Sequence, residues 1–453
     1  MMLAAKIALA RGAGALSRRT GRGGTSLPGK LLIRIEPHAM ARLSARLRDG
    51  SAVISATNGK TTTAAMASAI LEGDGARLVH NRAGANMAGG VTTALLDAAR
   101  GSGIDASAGL FEVDEFWLDQ IVPELRPRAL LLSNLFRDQL DRYGELETIA
   151  DRWAAAIAAA PATHLVLNAD DPLVADLGRE RANVTYFGVQ DDGVALDGLA
   201  HASDSKHCRR CGAPYVYDAV YLGHLGRYHC PNGDGPRPEP DVWASAIALD
   251  GTRGAAFDLH VGAQRARVAL ALPGLYNVYN AVGAAALAHA LGASLEAIAR
   301  GLAATRAAFG RAETVLVGDR ELAILLVKNP AGANEVLRTL ALDPGELDVL
   351  AILNDRTADG HDVSWIWDVD FELLADRVRR VTCSGTRAAE LAVRLKYAGV
   401  PVERLHVVPA LSDGLDGALS DGHGRLVAMP TYTAMLELRA LLVARGAAAG
   451  SFA

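Results

Sequence analysis

At 453 residues, half of them hydrophobic, with a formal net charge of −5, the chain has room for two or three domains with cores of their own. The charge balance gives no reason to expect a nucleic-acid or anionic-membrane footprint, and no apolar run approaches the roughly 20 residues that cross a bilayer. Met1 to Arg11 is too short and too soon broken by charge for a signal peptide, so a cytoplasmic protein is expected. In that compartment four cysteines, three of them clustered, suit metal binding better than disulfides.

Residues 1–45 read as a lead-in, flexible and basic where Gly, Arg and Ser crowd residues 12–30. Ser51 to Ala56 reads as a buried strand, and Thr61 to about Leu71 as the helix that follows. Leu110–Asp114 is a strand edge ending in acids, while Ala129–Asn134 and His164–Asn168 are further buried strands. This βα alternation predicts a mostly parallel sheet with helices on both faces. Ligands sit at the carboxyl ends of such strands, where Glu112, Asp114, Asn134 and Asn168 fall. Residues 203–240 interrupt the pattern with Cys, His, Tyr and Gly; sheet-like segments resume over 241–272, and Pro273–Asn280 leads into a small-residue helix. Near Phe309–Glu313 the chain passes into a second α/β domain with strands at 323–327, 349–353, 381–383 and 426–429. The expected division is a central domain over 46–308, carrying the insert 203–240, and a C-terminal domain over 309–453.

The most specific signal is Ser51 to Thr63. A buried strand, a tight turn at Asn58-Gly59, then Lys60 and Thr61 opening a helix is the arrangement that cradles a polyphosphate. Backbone N–H groups face the phosphate oxygens, the lysine adds a point charge and the threonine hydroxyl reaches Mg²⁺. The first glycine of G-x-x-x-x-G-K-[ST] falls at Ile54, so the match is incomplete. Thr61 with Glu112 makes a magnesium pair, because Mg²⁺ takes a few carboxylate or hydroxyl oxygens beside phosphate and water. Asn134 to Glu145 packs acids, arginines and amides densely. It reads either as part of the site or as a solvated helix with Asp138 and Arg142 paired at i, i+4. Lys328-Asn-Pro-Ala-Gly-Ala-Asn334 reads on its own as a plain Asn-Pro turn, and only a family resemblance makes it a substrate contact. Asp359 to Asp368 holds three acids, a histidine and two tryptophans, an interface or a glycine turn before a strand. Cys208-Arg-Arg-Cys211 with Cys230-Pro-Asn-Gly233 is nearly a zinc ribbon, lacking one cysteine at Gly233. His207, His224, His229 or Asp234 is left to complete a structural site, and Cys383 reads as a buried hydrophobe.

Thr57-Asn-Gly-Lys-Thr-Thr62, Glu112-Val-Asp-Glu115, Asp138-Gln-Leu-Asp-Arg142, Asn168-Ala-Asp-Asp-Pro172, Gly274 to Asn280 and Gly310-Arg-Ala-Glu313 occur in that order. Together they resemble the Mur ligase family, ATP-dependent enzymes that join amines to carboxylates through an acyl phosphate. The missing N-terminal substrate domain, the cysteine-bearing insert, Gln139 in place of a family histidine and the Asp359–Asp368 segment are similar to its MurT branch. The resemblance implies a Mur-type ATPase domain with a ribbon-like insert and a Rossmann-like C-terminal domain. Asn58, Gly59, Lys60, Thr61 and Thr62 would cradle ATP, Asn277 and Asn280 would line its adenine or ribose side, and Arg311 would reach the phosphates. Lys60 and Glu112 would serve the chemistry, with Mg²⁺ on Thr61 and Glu112 and structural Zn²⁺ on Cys208, Cys211 and Cys230. It further implies amidation of the D-glutamate α-carboxylate in lipid II with ammonia from a glutaminase partner, GatD. Asp362 or Asp368 would complete the partner's cysteine–histidine pair, with Asp355 and Asp359 not excluded. Membrane contact would come at most peripherally, through the substrate. Two other readings stand beside this one. An amino-acid-adding ligase of muramyl-peptide or folylpolyglutamate type would act without a partner, and a non-catalytic P-loop switch or nucleic-acid-binding zinc-ribbon protein would need a basic aromatic surface.

Overall fold

The computed structural model describes residues 3–19, 26–81, 85–138, 146–199, 203–306, 311–420 and 424–448, with the backbone alone at 16–19 and 311. Nine of the described strands form one sheet: β1 (Ser51–Ser55), β2 (Leu78–His80), β3 (Ala108–Glu112), β4 (Ala129–Leu132), β5 (His164–Asn168), β6 (Val184–Val189), β7 (Val242–Leu249), β8 (Ala255–Val261) and β9 (Gln264–Leu270). Their order is β9-β8-β7-β6-β5-β4-β1-β3-β2. β2 through β7 pair in parallel, and β8 and β9 add an antiparallel edge. All five residues of β1 are buried, as a central parallel strand covered on both faces requires. One face packs on an alanine-rich helix, Leu275–Ala290, whose small side chains let it lie close beneath the strands. The other face packs on Leu32, Leu43, Val91, Leu95 and Trp153.

The lead-in is mostly helical among the described residues, with α1 (Leu3–Arg19), α2 (Leu27–Ile35) and α3 (Ala39–Ser44); of the stretch 12–30 read as flexible, residues 12–19 and 27–30 are helical and residues 20–25 lie outside the described residues. Its Gly and Arg content concealed an apolar stripe. Ile7, Ala10, Leu32, Ala39 and Leu43 are buried in the core on that face of the sheet.

A second sheet holds β10 (Arg311–Val317), β11 (Arg320–Leu325), β12 (Leu347–Ile352), β13 (Val378–Ser384), β14 (Leu405–Val407) and β15 (Leu426–Pro430), in the order β10-β11-β15-β12-β13-β14. Only the β10–β11 hairpin is antiparallel, and a hydrophobic cluster covers each face. Trp365 and Trp367 lie on a 3₁₀ turn, Ser364–Asp368, not before a strand. Ile366 between them is buried and Trp367 is 53% exposed. Cys383 is fully buried in β13, and burial pushes its thiol up to about 12, as a packed hydrophobe should be.

Candidate active site

β1 delivers the chain into Ala56-Thr-Asn-Gly59, and helix α4 (Lys60–Gly73) starts at once. Gly59 has φ +84°, and a Cβ there would lie 2.0 Å from Asn280 Oδ1, so both backbone and space demand glycine. The loop is clamped from the end of β4. Asn134 Oδ1 accepts from Asn58 N (2.9 Å), Asn134 Nδ2 donates to Asn58 O (3.0 Å), and Phe136 N donates to Thr57 Oγ1 (3.1 Å).

Lys60 is buried, and its Nζ donates to Glu115 Oε2 at 2.6 Å and to the Ala56 carbonyl. Burial works against its charge, but Glu115, Asp114 and Glu112 together outweigh that and hold it above the ordinary lysine range. Burial likewise opposes the Glu115 charge, and Lys60 and Lys328 prevail and lower it. Asp114 and Asp138 are both raised, burial being the main cause. Thr61 Oγ1 sits 2.9 Å from each oxygen of Glu112, the carboxylate at the end of β3, which brings the expected magnesium pair together.

The second domain enters the same site. Lys328 Nζ donates to Asp138 Oδ2 (2.5 Å) and to the Thr57 carbonyl (3.0 Å). Asp138 therefore pairs across the domains. Its proposed helical partner Arg142, with Gln139 and Asp141, lies outside the described residues. The other Asp138 oxygen, Oδ1, is buried and has no hydrogen-bond partner among the described residues. Asn329 exchanges amide hydrogen bonds with Asn58 (3.0 and 3.2 Å) while capping the helix Pro330–Ala341. A cavity of about 430 Å³ results, lined by Asn58 to Thr62, Glu112, Asn277 and Asn280 from one domain and by Lys328, Gly332 and Asp359 from the other. Leu222 and Leu225, at the tip of the insert's hairpin, also line it.

Asn277 and Asn280 form a buried relay and neither caps the helix, which begins after Gly274. Asn280 Oδ1 accepts from Thr63 Oγ1 (3.2 Å), its Nδ2 donates to Asn277 Oδ1 (3.0 Å), and Asn277 Nδ2 donates to the Pro273 carbonyl (2.8 Å). Arg311 opens β10, its side chain beyond what is described. Asn168, at the end of β5, is fully buried, and its side-chain Oδ1 accepts from Asp170 N (3.0 Å) in the turn that follows. Two residues were not assigned their roles from sequence: Glu115, the buried counter-ion of Lys60, and Asn329. The Glu112-Val-Asp-Glu115 spacing was the available signal for the first.

The four acids near the tryptophans separate. Asp355 pairs with Arg387 (2.7 Å) and Thr386 (2.8 Å), and Asp359 is buried and accepts from Thr433 N (2.8 Å) and its hydroxyl. Asp362 is exposed, its carboxylate lowered by the Ser364 N–H that it accepts at 2.8 Å. Asp368, 42% exposed, lies 3.8 Å from Arg137 across the domain boundary.

In the insert, Cys208, Cys211, Cys230 and Asp234 bring their ligand atoms within 4.8 Å of one another. The histidines do not join them. His224 is buried 3.3 Å from Asp171, His229 lies 3.4 Å from Asp218, and His207 bridges backbone to Pro214. Gly212 and Gly233 both take left-handed conformations (φ +75° and +77°) just behind their knuckles. The second turn thus reads Cys-Pro-Asn-Gly-Asp, with an oxygen ligand one residue beyond the expected thiolate. Three sulfurs and a carboxylate fit Zn²⁺.

The two α/β domains, with the Gly59-Lys60-Thr61 turn at the cleft between them, define a Mur-ligase-type fold. Its solved relatives include a pseudomurein peptide ligase type C from Methanothermus fervidus (TM-score 0.69, 21% identity, 89% of this chain and 80% of that one). Another is a folylpolyglutamate synthase from Mycobacterium tuberculosis (TM-score 0.62, 17% identity, 94% and 99%). Residues 54–232 match the Mur ligase middle domain family and residues 326–435 the MurT ligase C-terminal family. The chain is 33% identical over 437 residues to the lipid II isoglutaminyl synthase (glutamine-hydrolyzing) subunit MurT of Streptococcus pneumoniae, covering 94% of each. It is 32% identical to the subunit of the same name from Staphylococcus aureus strain N315, over 95% of this chain and 96% of that one. The chain belongs to the MurT family of Mur ligases. No helix among the described residues is long and apolar enough to cross a membrane.

Proposed function

We propose that this chain is the synthetase subunit of a cytoplasmic lipid II isoglutaminyl synthase, amidating the α-carboxylate of D-glutamate in the stem peptide during peptidoglycan synthesis. The observation that carries the reading is the cavity shared by the phosphate loop and the MurT-type domain, with Lys60, Lys328 and the Thr61–Glu112 pair on its walls. A carboxylate resists ammonia until one oxygen becomes a good leaving group, and transfer of the ATP γ-phosphoryl group makes it one. Asn58, Gly59, Lys60, Thr61 and Thr62 hold the phosphates, Asn277 and Asn280 the nucleoside side, and Arg311 approaches as the domains close. Mg²⁺ on Thr61 and Glu112 supplies charge neutralisation at the phosphates. Ammonia attacks the acyl carbon, phosphate leaves, and a proton passes to a base, yielding D-isoglutamine, ADP and phosphate. Closure of the two domains through Asn58–Asn329 and Lys328–Asp138 excludes water from the acyl phosphate.

The ammonia comes from a GatD-type glutaminase whose cysteine–histidine pair is completed by Asp362 or Asp368, an acid that orients a histidine being the third member of such triads. The exposed Trp367, with its ring centre 6.0 Å from that of Tyr397, lies next to Asp368 and offers the partner an aromatic contact. Zn²⁺ on Cys208, Cys211, Cys230 and Asp234 would brace the insert whose hairpin tip lines the cavity. The chemistry is tested with lipid II carrying ¹⁸O in the α-carboxylate, incubated with ATP and ammonium. Label in the released phosphate is expected, and amidated product with unlabelled phosphate would reject the acyl phosphate.

A further inference from the structure

The net charge of −5 conceals a strong asymmetry. Residues 1–48 hold ten Lys and Arg against one acid, Glu36, a net +9, while the remaining residues hold 36 against 50, a net −14. The helices at this end use their charges unusually. On α1, Lys6 turns inward to Glu36 (2.7 Å), and Arg11 is spent on the carbonyls of Leu96 (2.5 Å) and Ala99. Among the described side chains of α1, residues 3–15, the solvent face is left to Ala4, Ala5, Ala8, Leu9, Gly12 and Ala15, with Leu9 54% exposed. A helix facing water ordinarily shows its charges there. On α2 the outward positions are Leu27, 47% exposed, with Lys30 and Arg34 at i+3 and i+7. Neither cation has an ion-pair partner among the described residues. Helix α2 also lies against the wall of the cavity. Gly29 packs on Gly89 and Thr93, and a Cβ on Gly89 would lie 2.7 Å from Lys30 Cγ, while Asn86 and the half-exposed Met87 just before them line the cavity.

We propose that α1 and α2 form a peripheral membrane-contact surface that rests on an anionic bilayer. The exposed apolar side chains would enter the headgroup boundary, and Lys30 and Arg34 would meet lipid phosphates. The charge complementarity selects this occupant, since the surface shows cations and apolar groups with no outward carboxylate on either helix. Its purpose rests on the lipid II reading, because a protein held there would meet a lipid-anchored acceptor in two dimensions with its cavity beside the bilayer.

The binding is measurable without substrate, so its failure and the failure of the amidation reading are distinguishable. The full-length protein is floated with vesicles of phosphatidylcholine alone or mixed with phosphatidylglycerol. Binding to the mixed vesicles only is expected, weakening steeply with salt. The Lys30→Glu/Arg34→Glu variant should lose at least about tenfold in vesicle affinity, and Leu9→Ser should weaken it at unchanged charge. Both should keep wild-type thermal stability and wild-type amidation of a short-chain, water-soluble lipid II. Equal binding to both vesicle types, no binding to either, or charge reversal without effect would each overturn the proposal.

Discussion

Asn58 in the phosphate loop and Asn329 at the cap of the helix Pro330–Ala341 exchange side-chain hydrogen bonds at 3.0 and 3.2 Å, although 271 residues separate them. Asn329 Oδ1 also accepts from Gly332 N at 2.9 Å, so one side chain both starts a helix in one domain and grips the Asn58-Gly59 turn of the other. If the proposed function holds, the pair should act as a latch on the closed cleft. Asn58→Ala should lower kcat/KM for ATP about ten- to thirtyfold, two hydrogen bonds at about 1 kcal/mol each. Asn329→Ala should lose a similar amount plus about 1 kcal/mol of stability for the cap. In a double-mutant cycle the kinetic losses should fall well short of additive, and full additivity would contradict the latch.

Lys60 and Glu115 bury opposite charges 2.6 Å apart. Lys60→Met leaves a buried carboxylate with its closest partner gone and should cost about 3–5 kcal/mol in urea unfolding. Adding Glu115→Gln should recover most of that stability without restoring activity. The pH dependence follows from the same pair. Glu115 is held below its ordinary value of 4.5, so its contribution is complete above that pH and lost as pH falls through the lowered value. Asp114 and Asp138 are raised and act in the opposite sense. Between pH 5 and 3 the wild type should therefore lose more stability than the Lys60→Met/Glu115→Gln protein. Equal losses would show that the pair contributes nothing.

Asp234 should act as the fourth zinc ligand. Elemental analysis of protein purified without chelator should find a single bound zinc, and Asp234→Ala should release it to a weak chelator that leaves the wild type loaded. Asp234→Cys should hold it more tightly. Zinc retention in Asp234→Ala equal to wild type would remove Asp234 from the site.

The acids near Trp367 make a separable forecast. Losing the orienting acid of a nucleophile triad costs about 10⁴ in rate. Either Asp362→Asn or Asp368→Asn should therefore suppress glutamine-dependent amidation by several orders of magnitude while sparing ammonium-dependent amidation. Asp359→Asn, which disturbs the buried bonds to Thr433, should instead reduce both alike and lower thermal stability. Loss of both activities in Asp362→Asn and Asp368→Asn would place those carboxylates in the ligase chemistry and not at the partner.

The parallel core and the strand–turn–helix at Gly59 were legible because they are local. β1 is five consecutive buried residues, and the Ala56-Thr-Asn-Gly59 turn leads from it straight into the helix at Lys60. The Thr61–Glu112 pair was legible too, since parallel neighbours end their strands on the same edge. The partners of Lys328 and Asn329 were not, because they are fixed by how two domains meet, and no spacing within either encodes that. The N-terminal helices were hidden by composition. Glycine and arginine argued for flexibility over residues 12–30, yet Ile7, Leu32 and Leu43 on either side of that stretch carry enough buried apolar surface to fold the helices onto the sheet. Asp234 could not be singled out among four candidates because only the fold shows which of them lies with the cysteines: it follows Gly233, in a left-handed turn, and its carboxylate meets the three sulfurs while the histidines lie elsewhere.

The central claim is tested most directly by mass spectrometry of lipid II incubated with this protein, ATP and Mg²⁺, with ammonium or glutamine as nitrogen donor, with and without the co-expressed glutaminase. The account predicts amidation of the D-glutamate α-carboxylate from ammonium by this chain alone, and from glutamine only when the partner is present. No amidation under any condition, with ADP released instead when an amino acid and an acyl acceptor are supplied, would contradict it and mark the chain as an amino-acid-adding ligase.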